Sequence, residues 1–144
     1  MKIIGLLLLL TLSLTLTASA TAPAPVSAGQ LDASHLVFWQ KFRDAVIKGN
    51  KPAVASMSQF PISMPYGMAM VRNRAQLLRR YRQVFNHEGS AAKCFESAKP
   101  NIDPARLNEF TVGCKNAAGD EVVIYSFTRK PNGWKFTGLD NINE

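Results

Sequence analysis

The chain has 144 residues, the size of one domain once terminal segments are removed. It carries 17 basic and 10 acidic residues, a formal charge of +7, which draws a protein to anions; without a nucleic-acid-binding motif, charge alone does not argue for that partner. Its two cysteines, Cys94 and Cys114, lack the C-x-x-C spacing of a redox pair, and with only His35 and His87 to join them they match no zinc motif.

Met1-Lys2 is followed by an apolar run from Ile3 to Leu16 and then Thr17-Ala18-Ser19-Ala20. This is the charged, apolar and small-residue order of a secretory signal, with cleavage expected after Ala20. A membrane-spanning helix needs about 20 apolar residues, and this run is shorter. Residues 1–20 are therefore expected to be a signal peptide, and the protein to be exported, periplasmic or secreted, with no transmembrane anchor after cleavage. Loss of Lys2 leaves 16 basic and 10 acidic residues, about +6. Residues 21–30 (TAPAPVSAGQ) are small and proline-containing, with too little bulk to offset ordering entropy, and read as a flexible tether. The folded domain is then 31–144.

Phe38, Trp39, Phe42, Ala45 and Val46 recur at three- and four-residue steps, predicting a first helix from about Asp32 to Lys48. Asp32 or Ser34 can cap it, and Gly49-Asn50 suits its end. Pro52 fits the first turn of a shorter second helix, ended by Phe60-Pro61. Extended stretches Ile62–Tyr66 and Ala69–Arg72 around Gly67 suggest a short hairpin, limited to an edge by Pro65. Asn73 caps a third helix reaching about Phe85, with Leu77, Leu78, Tyr81, Val84 and Phe85 as its stripe.

Four strands follow in prediction: Ala92–Ser97, Glu109–Lys115, Glu121–Arg129 and Trp134–Asn141. Cross-strand pairing about the loop at Asp103-Pro104 would join Cys94 to Cys114. In an oxidising compartment an even pair of cysteines reads first as a disulfide. Asn132-Gly133 is the strongest hairpin signal. A two-residue loop there sets Pro131 opposite Trp134, Phe127 opposite Gly138 and Tyr125 opposite Asp140. That register places Val123, Tyr125 and Phe127 on one face with Trp134, Phe136, Asp140 and Ile142.

Helix, helix, short hairpin, helix and a run of strands resemble the NTF2-like (cystatin-like fold) superfamily, in particular its small exported bacterial members of unassigned function. The resemblance rests on Phe38-Trp39-Gln40-Lys41-Phe42-Arg43-Asp44-Ala45-Val46, Phe60-Pro61, Val71-Arg72-Asn73-Arg74 leading into Leu77-Leu78-Arg79-Arg80-Tyr81, and Gly133 through Asn141. It covers nearly all of 31–144, chiefly at core and turn positions, so it speaks to fold more than to function. It implies an α+β fold, three N-terminal helices packed on a curved antiparallel sheet forming a cone. It also implies a cavity used for catalysis, for binding or only as core, and a possible homodimer through the sheet.

Trp39, Phe42, Met57, Phe60, Tyr81, Tyr125, Trp134 and Phe136 are the candidate pocket residues, set against the simpler reading that they fill the core. Asp140 with Tyr125 is a weak catalytic candidate, because a carboxylate on an apolar face has its charged form disfavoured and suits a general base. Arg72, Arg74, Arg79, Arg80 and Arg82 are the anion-binding candidates. Arg72 and Arg74 sit at a helix start, where positive charge is disfavoured, and arginine forks suit carboxylate or phosphate. A solvated helix face is the competing reading. No cofactor or metal is expected. Three functions follow: a non-catalytic binding module for a small ligand or anionic partner, an isomerase or dehydratase using a cavity carboxylate, or a protein inhibitor or immunity factor of the cell envelope. The first is preferred.

Overall fold

A computed structural model describes residues 33–87 and 89–143. The expected signal peptide and tether lie outside the described residues. The chain forms α1 (Ser34–Ile47), α2 (Lys51–Ser56), β1 (Ser58–Ser63), α3 (Arg74–Phe85), α4 (Ala91–Phe95), β2 (Glu109–Lys115), β3 (Glu121–Lys130) and β4 (Gly133–Asn143). The four strands make one curved sheet in the order β1-β4-β3-β2.

Local chemistry accounts for the helix ends. After α1, Gly49 adopts φ 63°. Its N–H donates to Val46 O (3.0 Å) and that of Asn50 to Ala45 O (2.8 Å). This is the double closure that a left-handed glycine permits. Asn50 and Asn73 cap α2 and α3, their side chains accepting from Ala53 N (3.1 Å) and Gln76 N (3.0 Å). The start of α1 has no side-chain cap. Ser34 Oγ instead accepts from Trp134 Nε1 (2.9 Å), tying α1 to the start of β4.

Five expectations change. The segment expected as a strand from Ala92 is the short helix α4, started by Ser90, whose Oγ accepts from Lys93 N (3.3 Å). The expected hairpin after α2 shrinks to a single bridge, Ile62 with Val71. The helix before it ends at Ser56, and Phe60-Pro61 lies inside edge strand β1, where a missing N–H is tolerated. The sheet is mixed, because β1 runs parallel to β4. A parallel neighbour needs a long connection, and the chain from β1 to β4 runs through α3, α4, β2 and β3.

The fifth change is the register of the last hairpin. The turn is Pro131-Asn132, with Lys130 paired to Gly133. An Asn132-Gly133 type I′ loop needs positive φ at both residues, but Asn132 does not have it, whereas Gly133 does, at 101°. Proline is well placed just inside such a turn. Phe127 therefore pairs with Phe136. The ladder then slips, Ser126 pairing with Gly138 and Tyr125 with Leu139. Thr137 is the extra residue, a β-bulge. Its hydroxyl donates to Ser126 O (3.2 Å) and lies 3.1 Å from Thr128 Oγ1.

The bulge switches which β4 residues face inward. Trp134 and Phe136 are buried before it and Leu139 after it, while Asp140 and Ile142 are exposed. Helices cover the face carrying Phe110, Val112, Tyr125, Phe127 and Phe136. Phe42 of α1 is fully buried there, its ring centroid 5.0 Å from that of Phe127 and 5.3 Å from that of Phe136.

Candidate functional site

The aromatic residues expected to wall a pocket mostly pack on one another. Trp39 meets Phe95 edge to face at 4.8 Å, and Tyr81 lies 4.7 Å from Phe85. Tyr125 stacks on Phe85 with planes 3° apart. Met57 is partly buried against this core. Phe60, also partly buried, borders a shallow depression with Gln59, Pro61 and Pro131. Trp39, Phe42, Tyr81, Trp134 and Phe136 are core residues in this structure.

Tyr125 lines a second, more enclosed pocket, which lies where the end of α3 and the start of α4 meet β3 and β4. Met64, Met68, Gln83, His87, Leu139 and Asn141 also line it. About 20 Å³ of it is open to a water-sized sphere, room for roughly one water. Among the described residues, no carboxylate lines it. Sequence reasoning missed Asn141 because its inward side depends on the Thr137 bulge. The sequence signal available was the methionine- and proline-containing run Met64-Pro65 to Met68, whose apolar side chains need cover.

Among the described residues, Tyr81 Oη and Asn141 Oδ1 are buried without a hydrogen-bond partner. Such atoms carry a desolvation cost, so each is a place where a ligand or water gains by binding. Burial pushes the Tyr81 hydroxyl up to about 12. Burial, and then the neighbouring Tyr81, raise the Tyr125 hydroxyl as well. Both phenols are therefore neutral hydrogen-bonding groups over the ordinary pH range rather than bases.

Asp140 stands apart from Tyr125. It pairs across the ladder with Ile124, is exposed, and its Oδ1 accepts from Asn141 N (2.9 Å). The register that joined Asp140 to Tyr125 is replaced.

Cys94 and Cys114 form a disulfide with Cα atoms 5.9 Å apart. It joins α4 to β2, a helix to a strand rather than two strands. Cys114 also lines the pocket.

The arginines divide into two groups. Arg79, Arg80 and Arg82 border one open groove with Gln83, Asn86 and His87. Arg80 is anchored, its Nε donating to Gln83 Oε1 (2.7 Å) and its guanidinium to Met70 O (3.2 Å). Arg72 and Arg74 lie at the other end of α3. Arg72 N–H donates to Gln76 Oε1 (2.8 Å), and the Arg74 guanidinium to Pro52 O (3.2 Å). None of the five forms an ion pair among the described residues. The same residues contain no group of three histidine, cysteine, aspartate or glutamate side chains placed to hold a metal ion.

No protein-family model matches this sequence. No curated protein matches it. Among solved structures, a domain of unknown function with a cystatin-like fold from Nostoc punctiforme matches over 78% of this chain and 77% of its own, with a TM-score of 0.47 and 13% identity. An NTF2-like protein with a cystatin-like fold from Novosphingobium aromaticivorans matches over 74% and 77%, with a TM-score of 0.42 and 13% identity. A ketosteroid isomerase-like protein from Erwinia carotovora atroseptica matches over 76% and 92%, with a TM-score of 0.46 and 13% identity. No activity is carried over from likenesses this distant.

Helices packed on one face of a curved, unclosed sheet make this an α+β protein. The solved structures it resembles are described as NTF2-like or as having a cystatin-like fold.

Proposed function

We propose that this chain is an exported, non-catalytic binding module. It holds one small hydrogen-bond-donating group, about the size of a water or an amine head, in the pocket of Tyr125 and Asn141, and its arginine face recognises an anionic partner. Export follows from the leader, with Ala20 as the cleavage residue. The observation that carries the binding reading is the buried Asn141 Oδ1, unpartnered among the described residues, in a pocket whose described lining residues include no carboxylate. An amide oxygen accepts hydrogen bonds but is a poor proton acceptor, so it orients a donor rather than abstracting a proton. The outward position of Asp140 removes the carboxylate on which the isomerase or dehydratase reading rested.

Thermal unfolding in the presence of small primary amides, alcohols and alkylammonium ions tests the pocket. A donor-bearing compound should raise Tm in the wild type and leave Asn141→Leu unmoved. A flat response to all three classes in the wild type contradicts the pocket reading. Inorganic phosphate, compared between the wild type and Arg79→Gln/Arg82→Gln, tests the arginine face in the same way.

A further inference from the structure

We infer that the loop from Met64 to Met70, together with the arginine face of α3, is a docking surface for an anionic lipid bilayer; this rests on the anion-binding half of the function proposed above.

The loop reads Met-Pro-Tyr-Gly-Met-Ala-Met, with no charged residue from Ser63 to Val71. It turns at Gly67 (φ 83°), where Met68 N–H donates to Pro65 O (3.0 Å). At that turn Tyr66 has a relative exposure of 106%, and Met70 is half exposed. Nothing in the described fold covers the tyrosine ring. An aromatic ring with one polar end is suited to the headgroup layer of a bilayer. Methionine is flexible and apolar, and adapts to the acyl boundary below.

The loop and the arginines form one continuous surface. Arg80 holds Met70 O, and Met64, Pro65 and Met68 share a pocket wall with Gln83. Gln83 in turn borders the groove of Arg79, Arg80 and Arg82. Arg72 follows the loop directly in sequence.

Charge distribution points to the same partner. Residues 45–87 contain seven basic side chains and no acidic one, while the rest of the chain has ten of each. The entire formal charge of +7 thus resides in the segment that includes the loop and α3. An apolar tip bordered by arginines without acidic partners complements a negatively charged interface, which accepts both features at once. A protein partner would need a hollow shaped for Tyr66, whereas a bilayer deforms around it.

The test uses chain recovered after export, so that the apolar run from Ile3 to Leu16 is absent, and co-sedimentation with phosphatidylcholine vesicles with or without phosphatidylglycerol. The wild type should sediment with phosphatidylglycerol vesicles only, and raised salt should release it. Arg79→Gln and Arg82→Gln should each weaken binding about fivefold. Tyr66→Ser/Met70→Ser should weaken it about tenfold. In Tyr66→Trp, tryptophan emission should shift to the blue when phosphatidylglycerol vesicles are added. The substituted side chains Tyr66, Met70, Arg79 and Arg82 are all exposed, and an unchanged Tm verifies folding for each variant.

Wild-type protein that ignores phosphatidylglycerol vesicles overturns the proposal. So does a Tyr66→Ser/Met70→Ser variant that binds them like the wild type. In that case loss of inorganic phosphate binding in Arg79→Gln/Arg82→Gln would leave the arginine face as an anion site without a bilayer partner. Tip-dependent capture by a protein, with Tyr66→Trp emission unmoved by vesicles, also overturns it.

Discussion

Tyr125 on β3 stands directly across the ladder from Leu139 on β4, and both side chains enter the core. The next inward pair toward the turn is Phe127 with Phe136. Between these pairs β4 has one residue more than β3, and that residue, Thr137, determines which later side chains face the pocket. Inward side chains past the bulge fall on odd numbers, so Asn141 lines the pocket and Asp140 does not.

Substitutions at 140 and 141 should therefore behave differently. Asp140→Asn removes an exposed carboxylate and should change stability by no more than about 0.5 kcal/mol. Asn141→Leu removes an unpaired buried acceptor and should be neutral or stabilising by up to about 1 kcal/mol. Urea unfolding of each variant measures both. A turnover abolished by Asp140→Asn would remove the non-catalytic reading.

Close contact of β1 with β4 predicts a steric coupling. A Cβ placed on Gly138 would lie 2.9 Å from Ser63 Cβ, on the neighbouring strand. Gly138→Ala should cost about 1–3 kcal/mol. Ser63→Gly should recover most of that loss in the double variant, which a double-mutant cycle reads as coupling. Additive effects would mean that the strands are not this close in solution.

The disulfide closes a sequence separation of 20 residues. Cys94→Ser/Cys114→Ser should lower stability by about 3 kcal/mol, chiefly by freeing the unfolded chain. A thiol-reactive reagent applied to the unfolded, unreduced protein should find no free thiol. Two titratable thiols would show that the bridge does not form.

Alkaline pH should destabilise the fold through its buried phenols. The folded values of Tyr81, at about 12, and of Tyr125 are raised, mainly by burial. The unfolded chain ionises these groups near pH 10, at about the ordinary tyrosine value. Their stabilising contribution is complete below about pH 10 and is lost as pH rises toward the folded values. The slope should approach about 1.4 kcal/mol per pH unit for each tyrosine. Tyr81→Phe should flatten this dependence, and also remove an unpaired buried hydroxyl. Urea midpoints measured from about pH 9 to about pH 12 check the sign, since a rise in stability across that window contradicts it.

The amino-acid sequence by itself determined the elements whose stabilising contacts are local. The stripes of α1 and α3, the Asn73 cap and the bounds of β2 follow from residue spacing over one to four positions, and the structure has them there. The α+β order and the inclusion of the aromatic side chains in one core were legible for the same reason. Tertiary structure decided the rest. The parallel placement of β1, the helical state of the segment around Cys94 and the bulge at Thr137 depend on partners far along the chain. A strand's inward side has period two, so one extra residue reverses every position beyond it. That reversal made Asn141 a pocket residue and turned Asp140 to solvent, and no local pattern around Thr137 encodes it.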